Sequence, residues 1–204
     1  MKITYFGHSC FKVETQNLSV LFDPFADIGY DVKQTSADVV VCSHDHFDHN
    51  ATHRIKANRI ISDIVSEEIG GVKIETLLSY HDEVKGAKRG INRICKLTAE
   101  GKTIVHLGDL GDFDDNVSDF IAHADVLLIP VGGTYTIDAN QAKDVIFITE
   151  PASVIPMHYK SADSKINISS LHTFTSLFDK ISYLPSTVDV ASLKDGINVM
   201  EIEK

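Results

Sequence analysis

Cysteine is scarce in this sequence, and its few copies are poorly placed for a disulfide framework. The three cysteines, Cys10, Cys42 and Cys95, are odd in number, widely spaced and form no CxxC pair. Small secreted domains show the opposite pattern, so the sequence favours a reducing compartment and a cytoplasmic location. Because a free cysteine behaves as a small apolar side chain, we expect Cys10 and Cys42 to lie in the core.

Long apolar runs are also absent. No stretch approaches the roughly 20 apolar residues that a membrane-spanning helix requires. The first residues, MKITYFGHSC, contain neither a long apolar segment nor a small-residue cleavage site. A signal peptide is therefore not expected, and we expect the protein to act away from membranes.

Positive charge is in deficit. The chain has 19 Lys and Arg residues against 29 Asp and Glu residues, which gives a formal net charge of −10. Since nucleic-acid affinity comes largely from clustered basic side chains, this balance argues against a general nucleic-acid binder. A local basic pocket remains compatible with it. We therefore expect a small-molecule substrate as the partner, and we leave open the assembly of the chain into a homo-oligomer.

What remains is the composition of an ordinary globular protein, with 43% hydrophobic and 24% charged residues. The length of 204 residues fits one domain or two tightly joined halves. The first half contains short segments that are rich in β-branched and aromatic residues, a composition that predicts strands. These segments are KITYFG, CFKVET, SVLFDP, DVVVCS, RIIS, VKIETLLSY, INRICKLTA and KTIVHLG.

Helical patterns appear mainly in the second half. DDNVSDFIAHA offers Asp114 or Asp115 as an N-cap, TIDANQAKDVIFITE offers Asp138, and ISSLHTFTSLFDK reads as a third helix. A short helix is also expected from residue 50 to about residue 57. DVLLIPVGG, SVIPMHY and INVMEIE are further predicted strands. Many strands followed by alternating helices and strands predict two sheets with helices packed outside them.

The densest cluster of polar residues follows directly on one apolar strand, in VVVCSHDHFDHN. His44 and His46 are two residues apart, so in an extended backbone their side chains point the same way, and Asp48 and His49 follow. Neutral imidazole and carboxylate are the groups that hold Zn²⁺ and similar metals. Burying so many titratable groups without a metal is costly. The stretch therefore predicts a metal site, with a solvated polar loop as the alternative.

These motifs resemble the metallo-β-lactamase-fold hydrolases, and the resemblance extends over nearly the whole chain. The family pattern has an early Asp, the H-x-H-x-D-H motif, a His at a later strand end, an Asp in a GD turn and a last His. In family order the matching residues are Asp23, His44, His46, Asp48, His49, His81, Asp109 and His158. The resemblance implies a single domain over residues 1–204, of α/β (α+β) class: a four-layer αβ/βα sandwich of two mixed sheets flanked by helices.

The resemblance also implies a binuclear metal centre. His44, His46 and His81 would hold the first metal, Asp48, His49 and His158 the second, and Asp109 would bridge both. Zn²⁺ suits these ligands best, with Mn²⁺ or Fe²⁺ as alternatives. The two metals would share a hydroxide that attacks the substrate, with Asp48 orienting it. Asp23 is expected to fix a ligand histidine rather than to bind metal itself.

GHSCF, LGDLG, IPVGG and IPMHY further resemble the small hydrolases that include L-ascorbate-6-phosphate lactonase, with N-acylphosphatidylethanolamine-type phospholipases D as more distant kin. This resemblance implies a small, anionic ester, lactone or phosphodiester as substrate, and it does not choose among them. The alternatives are a non-enzymatic metal-binding or ligand-sensing module and an RNA-processing endonuclease of the same fold. A di-iron redox centre is disfavoured, because the resemblance implies that such centres have a carboxylate at the second position of the H-x-H motif, and here that position is His46.

Several other residues have two interpretations each. His8 either lines the site as a catalytic residue, donating a proton or binding a substrate oxygen, or is a turn histidine. Lys85, Lys88 and Arg89 form either an anion-binding pocket or a solvated, mobile loop, and Lys160 is a weaker candidate of the same kind. The Gly132–Gly133 loop, with Thr134, Tyr135 and Thr136, is either an anion site or a plain turn. His106 is expected to be a core histidine. His53, His123 and His172 are expected to be surface or packing residues.

Overall fold

The computed structural model describes residues 1–203, which form strands, three α-helices and two 3₁₀ turns. The strands are β1 (Lys2–Gly7), β2 (Cys10–Glu14), β3 (Ser19–Phe22), β4 (Ser36–Val41), β5 (Lys56–Ile61), β6 (Ser66–Ile69), β7 (Val72–Tyr80), β8 (Ile91–Ala99), β9 (Lys102–His106), β10 (Val126–Pro130), β11 (Ser153–Met157), β12 (Ile181–Leu184), β13 (Thr187–Asp189) and β14 (Gly196–Met200). The helices are α1 (Asp115–Ile121), α2 (Ala139–Thr149) and α3 (Leu171–Thr175), and the 3₁₀ turns are Thr52–Arg54 and Val190–Ser192.

The strands form two mixed sheets. One has six strands in the order β13-β1-β2-β3-β4-β5, and the other has eight in the order β12-β14-β11-β10-β9-β8-β7-β6. Parallel pairs occur in both sheets: β3 lies parallel to β4 and β4 to β5, and β10 lies parallel to both β9 and β11. Two mixed sheets with few flanking helices confirm the predicted fold class.

The main core lies between the two sheets. Val39 and Val41 of β4 belong to the large cluster that also contains Phe22 and residues of the eight-stranded sheet. Val40, between them, belongs to a second cluster on the other face of its sheet. The continuous apolar run of β4 therefore reflects a strand that is buried on both faces, as its sequence predicts. Cys10, Cys42 and Cys95 are free and buried, which confirms the two predicted core thiols.

The two outer layers differ. The buried residues of α1, α2 and α3 join the main core on the side of the eight-stranded sheet. On the six-stranded sheet the second cluster is closed instead by the irregular segment 23–35, through Phe25, Ile28 and Val32. Within residues 1–203 no α-helix contributes to that cluster. Asp27 and Gly29 have φ values of 63° and 107°, which an α-helix cannot include.

Two helix predictions need correction. The expected helix over residues 50–57 is the short 3₁₀ turn Thr52–Arg54, because Lys56 already begins β5, which pairs with β4. The third helix ends at Thr175 instead of continuing towards residue 180, because residues 181–184 must pair with β14. The predicted N-caps of α1 and α2 are confirmed: Asp114 accepts a hydrogen bond from the Val117 amide at 2.9 Å, and Asp138 forms a capping box with Gln141. None of the helices in residues 1–203 is long and apolar enough to cross a membrane.

Candidate metal centre

The predicted ligands converge at one end of the two sheets. The H-x-H-x-D-H segment follows β4 of the six-stranded sheet, whereas His81, Asp109 and His158 follow β7, β9 and β11 of the eight-stranded sheet. Residues 44–49 form bends and a turn, not the extended backbone that the spacing of His44 and His46 predicts. The two rings nevertheless meet, with centroids 4.6 Å apart, because the turn folds the segment back onto itself.

Three groups of side chains place one potential ligand atom each within 4.8 Å of one another. The first group is His44, His46 and His81, as the family pattern implies. The second contains the implied Asp48, His49 and His158, and also His8. The third is His44, His49 and Asp109. The structure thus brings all of the predicted ligands into one cluster, and it adds His8 to it.

Asp109 lies at the centre of this cluster. Its Oδ2 atom is 3.2 Å from Nε2 of His81, 3.2 Å from Nε2 of His158, 3.3 Å from Nε2 of His49 and 3.9 Å from Nε2 of His44. These imidazoles belong to both implied metal sites. Asp109 is therefore placed where one carboxylate can contact ligands of each site.

Several polar atoms in the cluster are buried without a hydrogen-bond partner. These atoms are Nε2 of His44, Nε2 of His49, Oδ1 of Asp109 and Nδ1 of His158. A buried polar atom left unpaired costs roughly 1–3 kcal/mol, so a group of them in one place requires a compensating ligand. Imidazole nitrogens and carboxylate oxygens are the donors that borderline divalent metals prefer, and the cluster therefore fits metal ions.

Asp23, the predicted supporting carboxylate, orients two of these histidines. Its Oδ2 atom accepts from Nδ1 of His49 at 2.8 Å and from Oγ of Ser43 at 2.6 Å. Because the Ser43 hydroxyl donates its only proton to Asp23, its oxygen must accept a hydrogen bond from Nδ1 of His44, which is 2.8 Å away. Both histidines thus carry a proton on Nδ1 and direct Nε2 to the cluster.

Ser43 was not predicted as a site residue. It precedes the H-x-H-x-D-H motif directly and is 3% exposed. Its backbone N–H also donates to Oδ1 of Asp23 at 2.7 Å, so the two residues are joined by two hydrogen bonds. A hydroxyl residue placed before the first ligand histidine was the available signal in the sequence.

The third histidine of the first group is oriented by the loop after β10. Nδ1 of His81 donates to the backbone carbonyl of Tyr135 at 2.9 Å, which leaves the lone pair of Nε2 for a metal. The Gly132–Gly133 loop thus supports His81 through its neighbour Tyr135. A Cβ atom on Gly132 would lie 2.1 Å from the carbonyl oxygen of His158, and the Gly133 amide donates to Ile137. Close packing and a turn therefore explain these glycines, which favours the plain-turn interpretation.

Asn92 on β8 holds Asp109 in place, and it too was not predicted. Its Oδ1 atom accepts from the Asp109 amide at 3.0 Å, while Nδ2 donates to Ser79 Oγ and to the Leu107 carbonyl at 2.8 and 2.9 Å. Gly108 lies against this side chain with φ of 56°, and a Cβ atom there would be 2.3 Å from Oδ1 of Asn92. The GD turn therefore needs its glycine for both backbone angle and space.

The charges in the cluster suit metal binding. Burial would raise the pKa of Asp109, but His158 and His49 hold it well below its usual range. Burial and the neighbouring His49 lower the pKa of His44. For His49, burial works against protonation, yet Asp109 and Asp23 raise its pKa well above the usual value. In the metal-free cluster His49 therefore carries a proton that a bound metal would displace.

His8 sits in the turn between β1 and β2, with φ of 52°, and it is 2% exposed. Its Nε2 atom is 3.2 Å from Oδ2 of Asp48, and its ring centroid is 4.4 Å from that of His158. Burial, followed by the proximity of His158, lowers the pKa of His8 to about 4. The residue is therefore a buried, neutral neighbour of Asp48, and the interpretation as a simple turn histidine leaves its place in the cluster unexplained.

A cavity of about 600 Å³ opens over the cluster. Lys88 and Arg89 line it, as the pocket interpretation of the 81–90 loop requires, while Lys85 does not. The loop is ordered by Asp82, whose carboxylate accepts from the backbone amides of Val84, Gly86, Lys88 and Arg89 at 2.7–3.0 Å. These hydrogen bonds favour the pocket interpretation for Lys88 and Arg89.

The remaining histidines and Lys160 have ordinary structural roles. His106 is buried, its Nε2 donates to the Ser9 carbonyl at 2.8 Å, and its ring stacks on Phe22, as expected of a satisfied core histidine. Lys160 donates from Nζ to the Ile166 carbonyl at 2.7 Å and does not line the cavity. The predicted surface histidines, His53, His123 and His172, are exposed.

Comparison with known proteins agrees with this geometry. Residues 2–158 match the model of the beta-lactamase superfamily domain. The chain is 30% identical over 193 residues to the UPF0173 metal-dependent hydrolase of Carboxydothermus hydrogenoformans, with 79% of this chain and 85% of the relative covered. It is 32% identical over 199 residues to that of Methanosphaera stadtmanae, with 79% and 85% covered.

Solved structures give the same result. A protein of Thermotoga maritima, described as a candidate Zn-dependent hydrolase of the metallo-β-lactamase superfamily, superposes with a TM-score of 0.84 at 34% identity, covering 99% of both chains. Igni18, a metallo hydrolase of Ignicoccus hospitalis, superposes with a TM-score of 0.69 at 25% identity, covering 100% of this chain and 96% of its own. The chain therefore belongs to the beta-lactamase superfamily and, within it, to the UPF0173 metal-dependent hydrolases. It is a metal-dependent hydrolase, which confirms the predicted enzyme class.

Proposed function

We propose that the chain holds two divalent metal ions and uses them to hydrolyse a small anionic substrate. The first ion would be bound by His44, His46 and His81. The second would be bound by Asp48, His49 and His158, and Asp109 would bind both ions. The observation that carries this proposal is the position of Asp109, whose Oδ2 atom lies within 3.9 Å of imidazole nitrogens from each set. A single metal site would leave several of the buried donor atoms unpaired.

Zn²⁺ is the proposed metal. Histidine-rich sites with few carboxylates suit Zn²⁺, and the similar Thermotoga maritima protein is described as a candidate Zn-dependent hydrolase. Mn²⁺ and Fe²⁺ are the alternatives, because the second set includes an oxygen ligand. Metal ions bound here would lower the pKa of a water molecule towards neutrality and polarise an oxygen of the substrate.

The protein's own side chains orient the reactants. Asp48 is proposed as the catalytic carboxylate, because it lines the cavity and its side chain is hydrogen-bonded to His8. Burial would raise the pKa of Asp48, but the hydrogen bond with His8 and the charge of His49 lower it, so this carboxylate is ionised and can accept a hydrogen bond from the attacking water. His8 donates to Asp48 from Nε2 and so fixes its orientation.

The cavity supports a small, anionic substrate. Its volume of about 600 Å³ lies in the range of small-molecule sites, and it has basic side chains beside the proposed metal ligands. Esters, lactones and phosphodiesters remain the proposed classes, with sugar-acid lactones among them because of the motifs shared with the ascorbate-6-phosphate lactonase group. The acidic net charge of −10 supports a small molecule over a nucleic acid. The free cysteines support a cytoplasmic location.

A hydrolysis screen with the metal content measured in parallel tests the proposal. The panel contains phosphodiesters, sugar-acid lactones, thioesters and β-lactams, and Asp109→Ala serves as the blank. We expect about two metal ions per chain in the wild type and metal-dependent turnover of one substrate class. In Asp109→Ala and His44→Ala we expect turnover to be lost and the metal content to fall, with the circular dichroism spectrum retained. Turnover that is equal in wild type and Asp109→Ala would refute the proposed centre.

A further inference from the structure

Among residues 1–203, three basic side chains line the cavity, and they differ in how far their charges are already paired. Lys88 forms an ion pair with Glu83. Arg89 donates from Nη2 to the Thr134 carbonyl at 2.9 Å, and its guanidinium lies 5.6 Å from the centroid of the Tyr135 ring. Lys165 is exposed, and its ammonium group makes no hydrogen bond or ion pair with any other residue in 1–203. Its charge is therefore available to a ligand.

The backbone at Lys165 is held in place even though its ammonium group has no partner. The Lys165 amide donates to the Ile28 carbonyl at 2.7 Å, and Nζ of Lys160 donates to the carbonyl of the next residue, Ile166, also at 2.7 Å. Gly29 allows this approach, since a Cβ atom there would lie 2.1 Å from the Asp163 carbonyl oxygen. The segment is thus fixed against residues 27–29, and Lys165 is presented to the cavity from a well-defined position.

An apolar surface lies beside this cation. Phe47 stands between the proposed ligands His46 and Asp48, lines the cavity and is 63% exposed. Ile28 and Ile166 line the same cavity. A large apolar side chain held in solvent next to polar ligands gains its burial energy only when a ligand covers it. This wall therefore suits an apolar part of the substrate.

We propose that the substrate is amphipathic and carries an anionic group apart from the bond that is cleaved: the ester, lactone or phosphodiester group is placed at the metal centre, an apolar part covers Phe47, and the separate anionic group, a carboxylate or a phosphate, pairs with Lys165. The inference rests on the proposed metal centre and narrows its substrate class. It assigns Lys165 as a specificity residue, which contacts the part of the substrate away from the bond that is cleaved.

Phosphonates test this assignment without turnover, because their P–C bond is not an ester bond. Binding of phenylphosphonate, 4-phosphonobenzoate and 1,4-phenylenediphosphonate to the Zn²⁺-loaded enzyme is measured by calorimetry, after metal analysis. In the wild type we expect the second anionic group to tighten binding about tenfold, the size of a charge-assisted hydrogen bond. This gain should disappear in Lys165→Ala and persist in Lys180→Ala, an exposed lysine outside the cavity. If 4-phosphonobenzoate gains more affinity, the group that pairs with Lys165 is a carboxylate. If 1,4-phenylenediphosphonate gains more, that group is a phosphate.

Phe47→Ala tests the apolar wall. It should reduce the preference for phenylphosphonate over methylphosphonate, whereas Phe147→Ala, which removes a phenylalanine that is 83% exposed on α2, should not. Equal gains from the second anion in wild type and Lys165→Ala would overturn the inference while the metal centre stands. A chain that takes up no metal would overturn both, and the metal analysis reveals that before any phosphonate is added.

Discussion

The sharpest test of the site geometry is the substitution Ser43→Ala. The hydroxyl of Ser43 donates to Asp23 at 2.6 Å and accepts from Nδ1 of His44 at 2.8 Å. Without it, the His44 N–H has no acceptor in a site where the residue is 3% exposed. The tautomer that presents Nε2 to the metal is then no longer favoured over the other one.

The expected size of the effect follows from two independent considerations. Leaving one buried donor unpaired costs about 1–3 kcal/mol. Removing a partner that orients a metal-binding histidine typically weakens metal affinity by about 10–100-fold, and each factor of ten corresponds to about 1.4 kcal/mol. The first range corresponds to a loss of about 5–140-fold, so together they predict a loss of about 5–100-fold in affinity for the metal at His44, with turnover reduced in parallel at limiting metal.

Competition with a chromophoric zinc chelator measures this affinity. Ser9→Ala is the matched control, because Ser9 is also fully buried near the site, but its hydroxyl has no hydrogen-bond partner. We expect Ser9→Ala to bind zinc as the wild type does. If Ser43→Ala and Ser9→Ala bind zinc equally well, the chain of hydrogen bonds from Asp23 through Ser43 does not orient His44, and the reasoning fails.

Two further predictions concern residues around the ligands. Asn92→Ala removes three hydrogen bonds, two that hold Leu107 and Asp109 and one to Ser79, so urea unfolding of the metal-free protein should show a loss of about 3 kcal/mol. Zinc affinity should fall because Asp109 is released, and unchanged values would contradict this role. Burial lowers the pKa of His106, so the unfolded chain takes up a proton below about pH 6.5 that the folded chain does not, and stability falls with falling pH. His106→Asn should make the metal-free protein's stability less steep between pH 6.5 and 5.5, by up to about 1.4 kcal/mol per pH unit, and an unchanged slope would count against a neutral buried imidazole.

The ligand cluster could be predicted from the sequence, because its chemistry is concentrated in residue types. The H-x-H-x-D-H segment is crowded behind one apolar strand, and the family order placed His81, Asp109 and His158 at later strand ends. What could not be predicted is which ordinary residues support them. Asn92 lies inside a strand-like segment, where a single polar residue carries no special signal. Its role arises only because β8 lies next to β9, which brings it against the GD turn.

The fold was predicted in the same uneven way. Strands with strong apolar patterns, such as β4, were found, because burial on both faces leaves a clear run of valines. The irregular layer over the six-stranded sheet was not predicted. Its buried side chains, Phe25, Ile28 and Val32, come from a backbone without regular structure, which has positive φ at Asp27 and Gly29. The short strands β6, β12 and β13 have only three or four residues each, which is too few for a periodic pattern.

The division of the ligands between the two sheets has a consequence for how the enzyme's activity depends on its interior. Each proposed ion is held from both sides, the first by His44 and His46 against His81, and the second by Asp48 and His49 against His158. The spacing of the sheets, about 10 Å in packed sandwiches, therefore sets the distance that each coordination sphere must span. A substitution that changes core volume between the sheets, such as Phe22→Leu, would act on the metal geometry from a distance. The packing of the hydrophobic core thus sets the distance between the ligands on the two sheets. Selection for catalysis is therefore expected to act on core residues that do not contact the substrate.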